Sequence, residues 1–315
     1  MHDGALRVKV LITQRVFPET IHLLSPHAEV IVGPPAPDAD ALMVFMPDSL
    51  DEASLRSFHN LKIVAGALKG YDNFDVAACT RLGIWFTIVP DLLTEPTAEL
   101  ALALMLSLSR KILAGDRLIR SGAFQGWRPI LYGTGLTGST VGLIGFGAVG
   151  QALARMLQGF SCRVQYHDPA VDGSMPLETL LASSDFVVPL LPLNPQTFHM
   201  LGRAALIKMK PGAYLINVSR GSIVDEDAVA DALESDHLAG YAADTFEMED
   251  WSRADRPREI NPRLLRLTDR TLFTPHLGSA VVSTRSEIER TAANNILQAL
   301  RGERPSGAIN NPAPR

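Results

Sequence analysis

Residues 139–168, STVGLIGFGAVGQALARMLQGFSCRVQYHD, restrict the possible folds of this chain more than any other stretch. The apolar run Val141-Gly142-Leu143-Ile144 suits a strand. Three glycines follow (Gly145, Gly147, Gly150), and Ala152, Leu153, Met156 and Leu157 then recur at helical spacing. A second apolar run ends on Asp168, which completes a βαβ unit. Each glycine has a steric reason to be there: the first permits a tight turn, the second lets the backbone approach a pyrophosphate, and the third lets the helix pack close to the strand. The free N–H groups at the start of the helix suit phosphate. Asp168, in the acid position of this pattern, can accept both ribose hydroxyls. The spacing therefore predicts a dinucleotide site at Gly145, Gly147, Ala148, Val149, Gly150 and Asp168. It also favours NAD over NADP, because a carboxylate repels a 2′-phosphate and the following PAVDGSM carries no cation to receive one.

Around this unit the chain alternates short apolar runs with helical segments. VKVLIT, AEVIV, ALMVF, KIVAGAL and IWFTIV are separated by PETIHLLSPH, DEASLRSFHN and DVAACTRLG. DFVVPLLP, AYLINV, LAGYAAD and TLFTPH continue the pattern after Asp168, interleaved with RAALIKMK and DEDAVADALES. This predicts an α/β protein of two doubly wound domains: a Rossmann dinucleotide-binding domain over 95–280, and a smaller discontinuous flavodoxin-like domain from 1–94 plus 281–315. GPPAPDAD, between the second and third runs, is too short for a crossover helix, so the topology there stays open. Residues 94–121 read as one long helix with Thr94 as N-cap and Pro96 in the first turn. A final helix is expected over about 282–301.

With 315 residues, 46% hydrophobic and 20% charged, the chain is long enough for two cores. Its net charge of −5, with no Lys/Arg-rich run, argues against nucleic acid as a partner. Cys79 and Cys162 are too few for a disulfide framework and sit in apolar-periodic segments. No signal-peptide pattern, membrane span or metal-ligand spacing is visible, which points to a cytoplasmic protein.

Three segments place ionisable residues at or just beyond strand ends, where doubly wound sheets bind ligands: NVSRGSIVDE with Arg220, AADTFEMED with Asp244 and Glu249, and TPHLGSA with His276. A histidine can exchange a proton near neutral pH, a carboxylate beside it fixes its tautomer, and an arginine offers a bidentate fork to an oxyanion. These segments resemble the signatures of the D-2-hydroxyacid dehydrogenase family. The resemblance implies that Arg220 binds the substrate anion, that Glu249 and His276 handle the proton, and that Asp244 orients the nicotinamide carboxamide.

VFMPD, GALKGYDNFDV, VPDLLTEPTAELA, SGAFQGWRPILYGTGL and FEMEDWSRADRPR resemble a specialised branch of that family, the phosphite dehydrogenases, which oxidise phosphite to phosphate with NAD. This implies phosphite held by Lys69 and Arg220, with Met46 beside it, Arg285, Trp127 and Tyr132 completing the pocket, and Thr97 near the cofactor. It also implies that His276 acts as base or as positioner of the attacking water. The chain departs from that branch in two shortened stretches, GPPAPDAD and PAVDGSMPLETL, and in Val218-Ser219, where a cysteine precedes the arginine in the branch. Two alternatives stay open: a dehydrogenase of a small 2-hydroxy acid, and a non-catalytic NAD(H)-sensing protein of the same fold. The helix from about Glu95 and the aromatic arm at Phe124 and Trp127 point to a homodimer built through the cofactor domain.

Overall fold

The apolar runs near the N-terminus form five parallel strands in the computed structural model, which describes residues 8–33 and 36–313. The elements of this unit are β1 (Lys9–Ile12), α1 (Pro18–Leu24), β2 (Glu29–Val32), β3 (Ala41–Val44), α2 (Glu52–Arg56), β4 (Ile63–Gly66), α3 (Val76–Arg81) and β5 (Trp85–Thr87). The sheet runs β2-β1-β3-β4-β5, a flavodoxin-like order, and all four residues of β3 and of β4 are buried. β2 and β3 flank β1, so the Gly33–Asp40 connection passes β1, and its described residues include no helix. Asp40 pins its far end, donating its N–H to the Lys9 carbonyl and accepting the Lys9 N–H on its carboxylate at 2.9 Å. Asp51 and Asp75 cap α2 and α3, each accepting a backbone N–H at 2.8 Å.

A second unit spans Thr94–Asp250 and Asp255–Ser279, while Trp251–Ala254 and the chain from Ala280 group with the first. It begins with α4 (Thr94–Ser109), α5 (Ile112–Arg120), β6 (Thr140–Ile144), α6 (Ala148–Leu157), β7 (Arg163–His167), α7 (Leu177–Ser183) and β8 (Phe186–Pro189). α8 (Arg203–Leu206), β9 (Ala213–Asn217), α9 (Glu226–Glu234), β10 (Leu238–Ala243), α10 (Pro262–Arg266) and β11 (Thr271–Phe273) follow. The six parallel strands are ordered β11-β10-β9-β8-β6-β7. β6 therefore has β7 on one side and β8 on the other, which places the glycine turn at the topological switch point.

The long helix expected over 94–121 is in fact two. α4 stops at Ser109, and Lys111 takes a left-handed φ of 53° before α5 starts. The break has a distant cause: the Ser109 carbonyl accepts the N–H of Thr134 at 3.0 Å, and the neighbouring Gly133 lies so close that a Cβ there would be 2.0 Å from the same oxygen. Thr94 is the first residue of α4 rather than its cap, and its hydroxyl is buried with no hydrogen-bond partner among the described residues. The stretch PAVDGSMPLETL, shortened relative to the phosphite-oxidising branch, turns at Asp168–Val171 and then starts α7 at Leu177.

α11 (Val282–Leu300) closes the first unit, burying Ile288, Ala292, Ala293 and Ile296 in one cluster with Val10, Met43 and Ile63. Its buried Glu289 accepts the Phe17 N–H at 2.9 Å and the Thr20 hydroxyl at 3.2 Å, which ties α11 to the start of α1. Cys79 and Cys162 are free thiols, and burial pushes the Cys79 thiol up to about 12.

Candidate active site

The glycine turn has the geometry a dinucleotide requires. Gly145 has φ +97°, and a Cβ there would sit 2.5 Å from the Leu190 carbonyl; at Gly150 it would sit 2.6 Å from the Gly145 carbonyl. At Gly147, the residue that caps α6, an added Cβ would meet nothing within 4 Å. The first and third glycines are thus dictated by the protein's own packing. The second leaves open space above a helix N-terminus whose first residues are Ala148 and Val149, which is where a pyrophosphate fits. Asp168 follows β7, accepting the N–H of Phe146 at 2.9 Å and of Ala170 at 3.0 Å. Those backbone donors hold its carboxyl below the usual Asp range, so it is anionic where the ribose belongs. At Gly278 a Cβ would lie 3.3 Å from the Thr97 hydroxyl and 3.4 Å from the Asp244 carboxylate, which brings these three together. The residues present fit NAD.

Arg220 comes from the loop after β9. Asn217, wholly buried, shapes that loop: its amide donates to the Arg220 carbonyl at 2.9 Å, and its Oδ1 accepts the Ser219 N–H at 3.1 Å and the Ser219 hydroxyl at 2.9 Å. Ser219, a departure from the phosphite-oxidising branch, is therefore built into the loop. The Arg220 guanidinium donates to the Ser219 carbonyl at 2.9 Å.

Glu249 ends a 3-10 turn, Glu247–Glu249, and His276 lies beyond β11. Their side chains meet, His276 Nδ1 to Glu249 Oε2 at 2.7 Å, with both partly exposed (30% and 25%). Glu249 Oε1 is occupied by the Phe246 N–H at 2.9 Å, which aims Oε2 at the imidazole. With Nδ1 engaged, Nε2 is the nitrogen available to exchange a proton. His276 has φ +55°, an unfavourable conformation for a non-glycine residue. Asp244 supports it. This residue, 1% exposed, accepts the Thr274 hydroxyl at 2.6 Å and the N–H groups of Leu277 (2.6 Å) and Gly278 (2.9 Å), and its carbonyl accepts the His276 N–H at 2.9 Å. Burial pushes the Asp244 carboxyl upward. Two of these donors converge on Oδ1, and Oδ2, which accepts Gly278, lies on the side of Thr97.

In the first unit, Met46 and Lys69 follow β3 and β4 at the same edge of the sheet, and the Ala67 N–H donates to the Val44 carbonyl at 2.9 Å. Arg285 donates to the Ala67 carbonyl at 3.3 Å and lies over the Phe45 ring at 5.7 Å, so it shares that edge. Desolvation lowers the Arg285 pKa from its ordinary value. Asn73 holds the Met46 carbonyl at 2.8 Å. Trp127 and Tyr132, by contrast, are 82% and 71% exposed on the irregular stretch after α5, and are not enclosed with the His276 group.

Sequence reasoning overlooked four residues. Gly221 lets the Arg220 loop lie against the turn that carries Glu249, for a Cβ there would be 1.9 Å from the Phe246 carbonyl carbon. Glu226 and Glu247, both buried, exchange hydrogen bonds, each carboxylate accepting the other's backbone N–H at 2.9–3.0 Å. His199 Nε2 donates to Glu247 Oε2 at 3.0 Å. The signal available was the run of three acids in FEMED, more than one histidine partner needs.

Residues 102–278 match the family description "D-isomer specific 2-hydroxyacid dehydrogenase, NAD binding domain". The glyoxylate reductase of Thermococcus litoralis is 35% identical over 331 aligned positions, covering 97% of each chain, and that of Pyrococcus horikoshii is 37% identical, covering 87% of this chain and 83% of its own. A crystal structure of a Thermus thermophilus protein superposes with a TM-score of 0.87 at 33% identity, covering 96% of this chain and all of its own. The NADPH-dependent glyoxylate/hydroxypyruvate reductase of Sinorhizobium meliloti, crystallised with NADP and malonate, gives 0.85 at 27% identity, covering 98% of this chain and 99% of its own. With the glycine turn, the anionic Asp168 and the Glu249–His276 pair in place, these matches establish that the chain belongs to the D-isomer specific 2-hydroxyacid dehydrogenase family and is an NAD-dependent oxidoreductase.

Proposed function

We propose that this enzyme oxidises phosphite to phosphate. The carrying observation is the pair of cationic residues at one edge of the first unit's sheet: Arg285 is bonded to Ala67, two residues before Lys69. Phosphite is a tetrahedral dianion at neutral pH. It calls for more positive charge than a monocarboxylate, which Arg220 alone can match through a bidentate fork. The segments around Met46, Lys69 and Trp127 support the same reading through their resemblance to phosphite dehydrogenases.

In this reading Arg220 and Lys69 neutralise the phosphoryl oxygens, with Arg285 and Met46 shaping the substrate's surroundings. Water forms the new P–O bond, and its proton passes to His276 Nε2. Glu249 stabilises the resulting imidazolium. NAD, when bound, takes up the hydride released from phosphorus. Thr97 and the Asp244 carboxylate serve the carboxamide of the cofactor.

The names of the relatives favour a second reading, interconversion of glyoxylate or another small 2-oxo acid with its hydroxy acid. There Arg220 binds the carboxylate and His276 exchanges its proton with the substrate oxygen. Turnover of NAD with phosphite, set against turnover of NADH with glyoxylate, separates the two. Higher kcat/KM with phosphite is expected, a preference for glyoxylate transfers the assignment, and NAD binding without either turnover would indicate a sensor. Lys69→Ala should lower kcat/KM for phosphite roughly ten- to a few-hundredfold, the effect of about 1.5–3 kcal/mol from a lost charged hydrogen bond, with NAD affinity unchanged.

A further inference from the structure

The second unit contains a second histidine–carboxylate pair that the proposed chemistry does not use. Glu247 belongs to the same 3-10 turn as Glu249, and its Oε2 accepts the hydrogen bond from His199 Nε2 at 3.0 Å. The backbone of His199 points the other way: its N–H donates to the Ser222 carbonyl at 2.7 Å, two residues after Arg220. Leu201 extends this pairing alongside Val224. To make both bonds His199 adopts φ +48°, a left-handed conformation that a side chain other than glycine takes at a cost. Its ring stacks on Phe198 at 4.1 Å.

We infer that His199 is a positioning residue for the reaction, joining the loop that presents Arg220 to the turn that presents Glu249. The rest of the turn is already constrained: Glu247 Oε1 accepts the Glu226 N–H at 3.0 Å, Glu226 Oε1 accepts the Glu247 N–H at 2.9 Å, and Glu226 Oε2 accepts the Asn261 N–H at 3.1 Å. Those bonds fix the turn against α9, and the Ser222 hydroxyl of the Arg220 loop donates to the Asp250 carboxylate just after the turn. His199 adds a tie between loop and turn that ends on Glu247 itself, through its own backbone bond to Ser222 and its ring bond to Glu247. Its side chain is 32% exposed, so it adds little to the buried core. Without the His199 bond, Glu247 Oε2 loses this donor and the turn loses one of its ties to the Arg220 loop, which lets Glu249 shift relative to His276.

The inference rests on the reading of Glu249 and His276 as the acid–base pair, and its test keeps the two apart. The ring-proton NMR signals of His276 at fixed pH, assigned with His276→Asn, report directly on how Glu249 is placed against Nδ1. In His199→Leu those signals should move, because the Nδ1 hydrogen bond to Glu249 is displaced. kcat should fall about ten- to a hundredfold, as a misplacement of about 1 Å does, with KM for NAD unchanged. His199→Gln, whose amide can still donate to Glu247, should recover most of both. Adding His199→Leu to Glu249→Gln should cost nothing further, since the effect passes through Glu249. Glu247→Gln reads out the same link if His199→Leu fails to fold. Unchanged His276 ring signals and kcat in His199→Leu, or losses that add in the double variant, overturn the inference. If His276→Asn is inactive while His199→Leu is normal, only this inference falls; wild-type turnover by His276→Asn removes the acid–base reading and this inference with it.

Discussion

Gly221→Ala should damage catalysis far more than cofactor binding, and the size of the effect follows from its surroundings. Gly221 is buried, and an added Cβ would lie 1.9 Å from the Phe246 carbonyl carbon, 2.1 Å from its oxygen and 2.2 Å from the Glu247 nitrogen. All three are backbone atoms, so no rotamer change can relieve the clash. Carbon atoms in contact sit about 3.5–4.0 Å apart, so the Arg220 loop and the Glu249 turn must separate by roughly 1.5 Å or more. Overpacking of this kind costs about 1–3 kcal/mol of stability. The same displacement moves Arg220 and Glu249 apart, and a misplacement of about 1 Å at a reacting centre lowers the rate roughly a hundredfold. Steady-state kinetics should show a loss of about that size in kcat/KM. NAD affinity by fluorescence titration should stay within about twofold, because the glycine turn after β6 is untouched. A Gly221→Ala variant with wild-type kcat/KM and an unchanged melting temperature would refute the claim that this contact sets the site.

Gly147→Ala makes the opposite case: nothing lies within 4 Å of its Cβ position, so the melting temperature should hold while the KM for NAD rises, measured by initial rates at varied NAD. Asp168→Ala should weaken NAD binding and raise the NADP/NAD ratio of kcat/KM, and equal wild-type efficiency with the two cofactors would contradict its role. Ile112, Ile119, Phe124 and Trp127 are all at least half exposed in the second unit, more apolar surface than a monomer usually presents, so light scattering at micromolar concentration should give a dimer mass, and Trp127→Glu should shift it toward monomer.

The features legible in the sequence are those whose causes are local. The Gly145–Gly150 turn, the strand on each side of it and the acid that ends the second strand can be read because each residue answers to neighbours within one βαβ unit. The division of 94–121 into two helices could not be read, since no glycine before Gly115 or proline after Pro96 marks it and its cause, Thr134 on the Ser109 carbonyl, lies 25 positions away. α7 was hidden because Leu177 to Ser183 is a short segment after a proline, where helical spacing cannot build up. His276 and Glu249 were recognisable as a pair only by family resemblance. Their spacing carries no periodicity, and the contact depends on two separate strand ends. His199 and Glu247 had no signal of their own beyond an excess of acids, and a mutual hydrogen bond between residues 48 apart is a property of the fold alone.

The proposed function places the choice of substrate in the first unit. In that proposal the second unit supplies a place for the cofactor, one cation in Arg220 and one proton-exchanging pair in Glu249 and His276. That set serves any small anion that exchanges a hydride and a proton, whether the atom oxidised is carbon or phosphorus. Residues 102–278, the part matched to the family description, therefore fix the reaction type and leave the substrate open. Met46, Lys69 and Arg285 all fall outside that range. Of the two cations among them, Arg285 already donates to Ala67 and lies over Phe45, which commits part of its guanidinium to holding the β4 loop. Lys69, half-buried on that same loop, has no hydrogen-bond or ion-pair partner among the described residues. In the proposed function that ammonium group meets the anion that arrives with the substrate. A second negative charge is what distinguishes phosphite from glyoxylate.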